Sequence, residues 1–217
     1  MTVKIKTDLL VIGAGAGGLS VAAGAAQLGI KVVLLEGDKM GGDCLNYGCV
    51  PSKALIAFSN QRKPKQFNNA MGFVRDAINE IEPHDSEERF RSLGVNVIRE
   101  YGQFVNETTV AAGAYEIQSR RIVIATGVHT PVPDISGLSD VQYYTNQTIF
   151  DLTKKPEHLL VLGGGPVGVE LAQAFARLGV NVTIFEKRKL LSNFSREQVE
   201  ILRVSLVEDG VSLKEDT

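Results

Sequence analysis

The sequence contains no tryptophan, three histidines and two cysteines among 217 residues. Each scarcity excludes something. Two cysteines cannot build the disulfide framework that holds a small secreted domain together. They also fall short of the four ligands of a structural zinc site, and His84, His129 and His158 lie remote from them without ligand spacing. None of these histidines stands in a recognisable base constellation, so surface or loop positions are expected for all three. An excess of one charge is also missing: 23 Lys and Arg against 25 Asp and Glu leave a net charge of −2, with the basic residues scattered. Neither nucleic acid nor an anionic membrane surface is therefore the expected partner. Residues 9–30 carry no charge, but six glycines (Gly13, Gly15, Gly17, Gly18, Gly24 and Gly29) interrupt them. They lead into Lys31-Val32-Val33-Leu34-Leu35-Glu36, which suits a buried strand–turn–helix–strand unit better than a membrane span. The cytoplasm is the expected location.

What is present is an internal repeat. Asp8 to Ile12 is a short apolar run of the kind that forms a buried parallel strand. Gly13-Ala14-Gly15-Ala16-Gly17-Gly18 follows, then a small-residue helix to Leu28, a turn at Gly29 and a strand ending at Glu36. The pattern returns near the other end: Leu159 to Leu162, then Gly163-Gly164-Gly165-Pro166-Val167-Gly168, a helix to Leu178, a turn at Gly179 and a strand ending at Glu186. The spacing from first glycine to acid is the same in both copies.

In each copy the three glycines have separate tasks. One makes the tight turn, one lets backbone approach a pyrophosphate, and one lets the helix pack close to the sheet. The free N–H groups and positive dipole end of the helix then face the phosphates. Gly13, Gly15, Gly18 and Glu36 are the expected residues of a first dinucleotide site, with Glu36 accepting from ribose hydroxyls. Gly163, Gly165, Gly168 and Glu186 are those of a second. Glu186 favours NAD over NADP because it would repel a 2′-phosphate, although Lys187, Arg188 and Lys189 follow at once.

Both cysteines lie between the copies, in Gly41-Gly42-Asp43-Cys44-Leu45-Asn46-Tyr47-Gly48-Cys49-Val50-Pro51-Ser52-Lys53. Thiols this close can be made and broken as a redox disulfide, provided their Cα atoms come within bonding reach. The expectation is that both lie on one side of a helical turn, where a helix N-terminus and Lys53 stabilise a thiolate. Inert thiols, a structural disulfide and a metal-binding pair are the competing readings.

The remaining segments read as follows. Helices are expected at Pro51–Phe58, Ala70–Ile81 and Asp85–Leu93, with a polar loop from Gln61 to Asn69. Short strands are expected at Val95–Ile98, Gly102–Val105, Thr109–Ala112, Tyr115–Gln118 and Arg121–Ile124. Thr130 to Gly137 is rich in proline and reads as a linker. Ser195-Arg196-Glu197-Gln198 has capping-box spacing and opens a helix to Glu208, which Asp209-Gly210 stops before a strand at Val211–Leu213. A half-built second sheet leads us to expect a piece of a longer protein.

The string GGDCLNYGCVPSK closely resembles the active-site signature of the class I pyridine nucleotide–disulfide oxidoreductases. That family includes dihydrolipoamide dehydrogenase, glutathione reductase and mercuric reductase. The resemblance extends over the first fingerprint, IVIATG at Ile122–Gly127, and GGGPVGVE ending at Glu170. Three further strings, HDSEERFRSLGVNVI, SRRIVIATG and YTNQTIFDL, are similar to the mercuric-reductase-like branch.

The resemblance implies an α/β fold: a Rossmann-like FAD-binding domain over residues 1–152 with an inserted β-rich segment, followed by the first part of a Rossmann-like NAD(P)-binding domain over 153–217. It implies FAD against Gly13, Gly15, Gly18, Glu36, Gly42, Lys53, Ala125, Thr126 and Gly127, and NAD(P)H against Gly163, Gly165, Gly168 and Glu186. It implies a Cys44–Cys49 disulfide in which Cys44 is the interchange thiol that attacks substrate and Cys49 the thiol facing the flavin. Lys53 would lie near flavin N5 and pair with Glu170, since a buried lysine needs a counter-ion. Substrates would be a small disulfide, a dithiol or mercuric ion, in a homodimeric parent serving cell redox homeostasis. A non-catalytic FAD-binding redox module or an inactive fragment is the alternative.

Overall fold

The computed structural model describes residues 2–61 and 66–217. The chain packs as two units, residues 1–50 with 78–147 and residues 51–77 with 148–217.

The first unit is built on β1 (Val3–Ile12), α1 (Ala16–Gln27) and β2 (Val32–Leu35). Next come α2 (Gly42–Asn46), α3 (Cys49–Ser59), α4 (Phe67–Asp85) and α5 (Glu87–Ser92), with α3 and α4 crossing the division between units. β3 (Asn96–Ile98), β4 (Gln103–Asn106), β5 (Thr109–Ala112) and β6 (Tyr115–Ile124) complete it. The six strands form one sheet in the order β3-β2-β1-β6-β5-β4. Its first four strands are parallel, and β4, β5 and β6 form an antiparallel meander.

Strand pleating sends successive side chains to opposite faces, and the core divides accordingly. Val11, Val32, Leu34 and Val97 pack with Leu19, Ala22 and Ala25 of α1 and Phe90 of α5. Leu10, Ile12, Val33, Leu35 and Ile98 gather on the other side with Val110 and Ile117 of the meander. β2 is buried along its whole length, as a central parallel strand must be.

The second unit carries β7 (His158–Leu162), α6 (Pro166–Arg177), β8 (Asn181–Glu186), α7 (Arg196–Glu208) and β9 (Val211–Glu215). Its strands are parallel in the order β7-β8-β9. Phe175 of α6 is wholly buried and meets the ring of Phe67 at 6.1 Å between centroids. Val182 and Ile184 are buried on β8, and Thr183 between them bonds His158 Nε2 at 2.9 Å.

Several local expectations change. The strands expected at Tyr115–Gln118 and Arg121–Ile124 are one strand, because ten-residue β1 pairs with it almost from end to end. The break between the two expected helices comes later: α4 starts three residues early, at Phe67, and runs through Pro83 to Asp85, and Ser86 then caps α5. Of the loop expected at Gln61–Asn69, residues 62–65 lie outside the described residues and Phe67 onward is helical. Of the expected capping box, Ser195 accepts from Gln198 N at 3.4 Å.

Candidate functional site

The first glycine loop is built so that side chains are excluded. Gly13 has φ +104, and a Cβ there would come within 2.3 Å of the Ala125 carbonyl oxygen, where β6 ends beside β1. A Cβ on Gly18 would come within 1.8 Å of Gly13 O, so α1 packs directly on the turn that precedes it. Gly42 faces Gly15 backbone to backbone: a Cβ on Gly42 would lie 2.6 Å from Gly15 Cα. Gly41 N donates to Ala14 O at 2.9 Å and holds the two loops together.

Glu36 closes this loop from the end of β2. Its carboxylate accepts from Ala14 N at 2.6 Å and from Asp38 N at 2.7 Å. Gly13, Gly15, Gly18, Glu36, Gly42 and Ala125 thus meet at the carboxyl ends of β1, β2 and β6, with Thr126 Cα also beside Gly13. Gly127 has φ +72 and open space around it.

Two residues at this edge are absent from the sequence-based expectation. Arg99 Nε donates to Glu36 O at 3.3 Å, and its guanidinium also reaches Asp38 O. The ring of Tyr101 lies over Gly37, within 2.5 Å of where a Cβ would stand. β3, parallel to β2, delivers both, and no local pattern marks them.

The second loop repeats the first in detail. Gly163 has φ +106, and a Cβ on Gly168 would come within 2.3 Å of Gly163 O. Glu186 accepts from Gly164 N at 2.6 Å and from Arg188 N at 2.8 Å. The N-caps Gly15 and Gly165 are extended and give no side-chain bond, whereas α5 and α7 carry the serine caps Ser86 and Ser195. The helices that follow the glycine loops therefore keep first-turn N–H groups available for an anion. Both loops fit the diphosphate of a dinucleotide, and each is closed by a carboxylate at the end of the second strand. Lys189 is drawn onto Asp216.

The thiols depart from expectation in two ways. Cys44 lies within α2 and Cys49 opens α3, with Tyr47 and Gly48 between, so they do not share one helical turn. Cys44 is half-buried and Cys49 exposed, neither is in a disulfide, and their side chains are hydrogen-bonded to each other. The environment also disfavours a Cys44 thiolate. Burial pushes the Cys44 thiol up from its ordinary value, the Cys49 side chain adds to the rise by hydrogen bonding and charge, and Asp85 adds a smaller push. A backbone bond from Cys49 acts in the opposite sense.

Within the second unit, Lys53 of α3 bonds both carboxylate oxygens of Glu170 on α6, at 2.9 and 2.7 Å. The two side chains are 59% and 37% exposed, so in this chain the pair is solvated rather than buried. Among the described residues, no cluster of three or more His, Cys, Asp or Glu could hold a metal ion. No helix among them is long and apolar enough to cross a membrane.

Residues 7–217 match the family model for pyridine nucleotide-disulphide oxidoreductases. The chain belongs to this family. It is 35% identical to mercuric reductase of Bacillus cereus, over 95% of this chain and 35% of that protein. It is 33% identical to dihydrolipoyl dehydrogenase of Haloferax volcanii, over 95% of this chain and 48% of that protein. The HOCl-induced flavoprotein disulfide reductase RclA from Escherichia coli, solved as a Cu(II) complex, superposes with a TM-score of 0.89. It is 29% identical, over 97% of this chain and 49% of that one. The chain thus spans between about a third and a half of the length of these relatives. The family is one of FAD-dependent enzymes that use a pyridine nucleotide, and the α/β fold with its parallel sheet is theirs.

Proposed function

We propose that this chain carries the FAD site and dithiol of an oxidoreductase that passes electrons from NAD(P)H to Cys44 and Cys49. From there they go to a small disulfide or to mercuric ion; with a dithiol substrate the flow reverses, the dithiol being oxidised to a disulfide and NAD(P)⁺ reduced. The observation that carries this reading is the mutual contact of two reduced thiols, in the same unit as the Gly13–Gly18 loop and Glu36.

Residues 1–152 are read as the FAD-binding domain and residues 153–217 as part of the NAD(P)-binding domain, a division that differs from the packing units at residues 51–77 and 148–152. Gly13, Gly15 and Gly18 approach the FAD pyrophosphate, Glu36 takes the adenosine ribose, and Gly42, Lys53 and the Ala125-Thr126-Gly127 segment complete the contacts. Bound FAD supplies the two-electron relay between a hydride donor and a dithiol. Gly163, Gly165 and Gly168 approach the NAD(P)H pyrophosphate. Glu186 favours NADH, since a carboxylate placed for the ribose repels a 2′-phosphate.

The thiols divide the remaining work. Cys44 attacks the substrate sulfur and Cys49 faces the cofactor. For a disulfide substrate the balance is NAD(P)H, one proton and the disulfide giving NAD(P)⁺ and two thiols. The burial and Cys49 contact that hold the Cys44 proton work against this attack, so that proton must leave before Cys44 reacts as a thiolate. Lys53, neutralised by Glu170, is the cation that the family resemblance assigns to the flavin. Mercuric ion suits two neighbouring thiolates because it is a soft cation.

The test is the visible spectrum of the purified chain before and after a dithiol reductant. A bound-flavin band that gains a long-wavelength shoulder on reduction, lost in Cys49→Ser with flavin retained, is the expected result. A protein that stays colourless after reconstitution with FAD would overturn the assignment for this chain.

A further inference from the structure

The second unit contains a cavity of about 270 Å³ that none of the roles above employs. Its walls are apolar: Ile56 of α3, Val169 of α6, Val199 and Leu202 of α7, and Leu191 and Phe194 from the loop after β8. Phe194 is 52% exposed, so its ring forms the rim rather than the floor.

The polar groups at the cavity narrow the ligand class. Glu170 lines it, but Lys53 takes both carboxylate oxygens and neutralises the charge. Gln173 also lines it and spends its amide nitrogen on Ser205 at 3.0 Å and Asp209 at 2.8 Å. That leaves the Gln173 carbonyl oxygen, together with the amide of Gln198, which also lines the cavity, to accept from a ligand donor. The volume lies just below that of sites for drug-sized molecules, which suits one or two rings.

The roof of the cavity is tied to the second glycine loop. Leu191 N donates to Gly164 O at 3.0 Å, and Leu190, wholly buried, packs so near Gly164 that a Cβ there would come within 2.8 Å of it. Leu190 N is held in turn by Glu215 at 2.6 Å. Leu191 itself has φ +48, a left-handed backbone that a leucine adopts only when its surroundings impose it. Moving Leu191 or Phe194 to admit a ring therefore moves the partner of Gly164.

We propose that this cavity is a second small-molecule site, taking an uncharged one- or two-ring aromatic with an N–H or O–H donor, and that its occupancy weakens dinucleotide binding at Gly163–Gly168. The second half rests on reading that loop as a dinucleotide site. Coupling of this kind is reciprocal: each ligand lowers the other's affinity by the same factor.

Indole is a suitable probe. Ligand-observed NMR would follow its binding to the purified chain, and calorimetry would follow NADH with and without saturating indole. We expect saturable indole binding, an NADH affinity lowered about fivefold or more by indole, and the same factor with the order reversed. Leu202→Trp, which fills the cavity, should abolish indole binding. Should that variant fail to fold, Phe194→Ala at the half-exposed rim should still weaken indole by about fivefold or more, a loss of about 1 kcal/mol. Absence of saturable binding, or binding indifferent to Phe194→Ala and to a folded Leu202→Trp, would overturn the site. Indole binding with NADH affinity unchanged would overturn the coupling. Failure of NADH to bind at all, with indole still bound, would defeat the dinucleotide reading and the coupling while leaving the site supported.

Discussion

Gly18 lies so close beneath Gly13 that a Cβ on it would stand 1.8 Å from the Gly13 carbonyl oxygen. The obstacle is backbone, which cannot rotate away as a side-chain end can. Gly17, one residue earlier on α1, has nothing within 4 Å of its hypothetical Cβ. Two neighbouring glycines therefore predict opposite outcomes. Gly18→Ala should cost about 1–3 kcal/mol, as overpacking does, and should displace the loop enough to lose FAD. Gly17→Ala should leave stability unchanged or raise it by about 0.5–1 kcal/mol, through helix propensity. Urea midpoints of the flavin-free proteins check this, and equal effects would show that the α1–loop contact does not constrain the site.

Glu186 does two things at once in this geometry. It accepts the N–H groups of Gly164 and Arg188, and in the proposed reading it also meets the ribose. Gly164 N and Arg188 N use different oxygens of Glu186, so Glu186→Gln keeps one of the two bonds, sets its NH2 against the other N–H, and should lower NADH affinity. Glu186→Ala leaves both N–H groups to water and should cost about 1 kcal/mol of stability in addition. Glu186→Arg should move preference from NADH toward NADPH. Calorimetric titration of each variant with both nucleotides separates these effects, and an unchanged NADH to NADPH ratio in Glu186→Arg would remove Glu186 from ribose recognition.

The loops were legible because their information is local. A strand, a glycine turn, a helix and an acid at fixed spacing determine where Glu36 and Glu186 arrive, and both close on their loops in the same way. What escaped was delivered from elsewhere in the chain. The unbroken course of β6 depends on β1 being equally long, which no window around Ser119 and Arg120 contains. Arg99 and Tyr101 reach the Glu36 edge only because β3 pairs with β2. The hydrogen-bonded cysteines lie on two helices because Tyr47-Gly48 ends α2, with Tyr47 N bonded to Asp43 O at 2.9 Å. Spacing alone does not distinguish that arrangement from one continuous turn.

Lys53 and Glu170 form a short but solvated pair, and exposed pairs contribute little to stability. A double-mutant cycle with Lys53→Met and Glu170→Gln should give a coupling energy below about 1 kcal/mol in urea unfolding. If the pair serves the flavin, the same variants should alter the flavin spectrum or reduction potential by more than their stability change suggests. A large stability coupling with unaltered flavin properties would make the pair structural.

The Cys44 thiol holds its proton above the ordinary thiol range because burial and Cys49 both disfavour its ionised form. Removing Cys49 deletes the largest causes after burial, so Cys49→Ser should lower the apparent pKa of Cys44. Asp85→Asn should lower it less. The pH dependence of Cys44 alkylation measures both, and an unmoved midpoint in Cys49→Ser would mean that burial alone sets it. The same shift enters stability. Below about pH 8.5, the unfolded value, both states hold the proton and the contribution is complete. As pH rises from there through the raised folded value, the native state keeps a proton that the unfolded state has released, so reduced protein loses stability. Oxidising Cys44 removes the titrating group, and the oxidised protein should lack this component of alkaline destabilisation in parallel urea titrations.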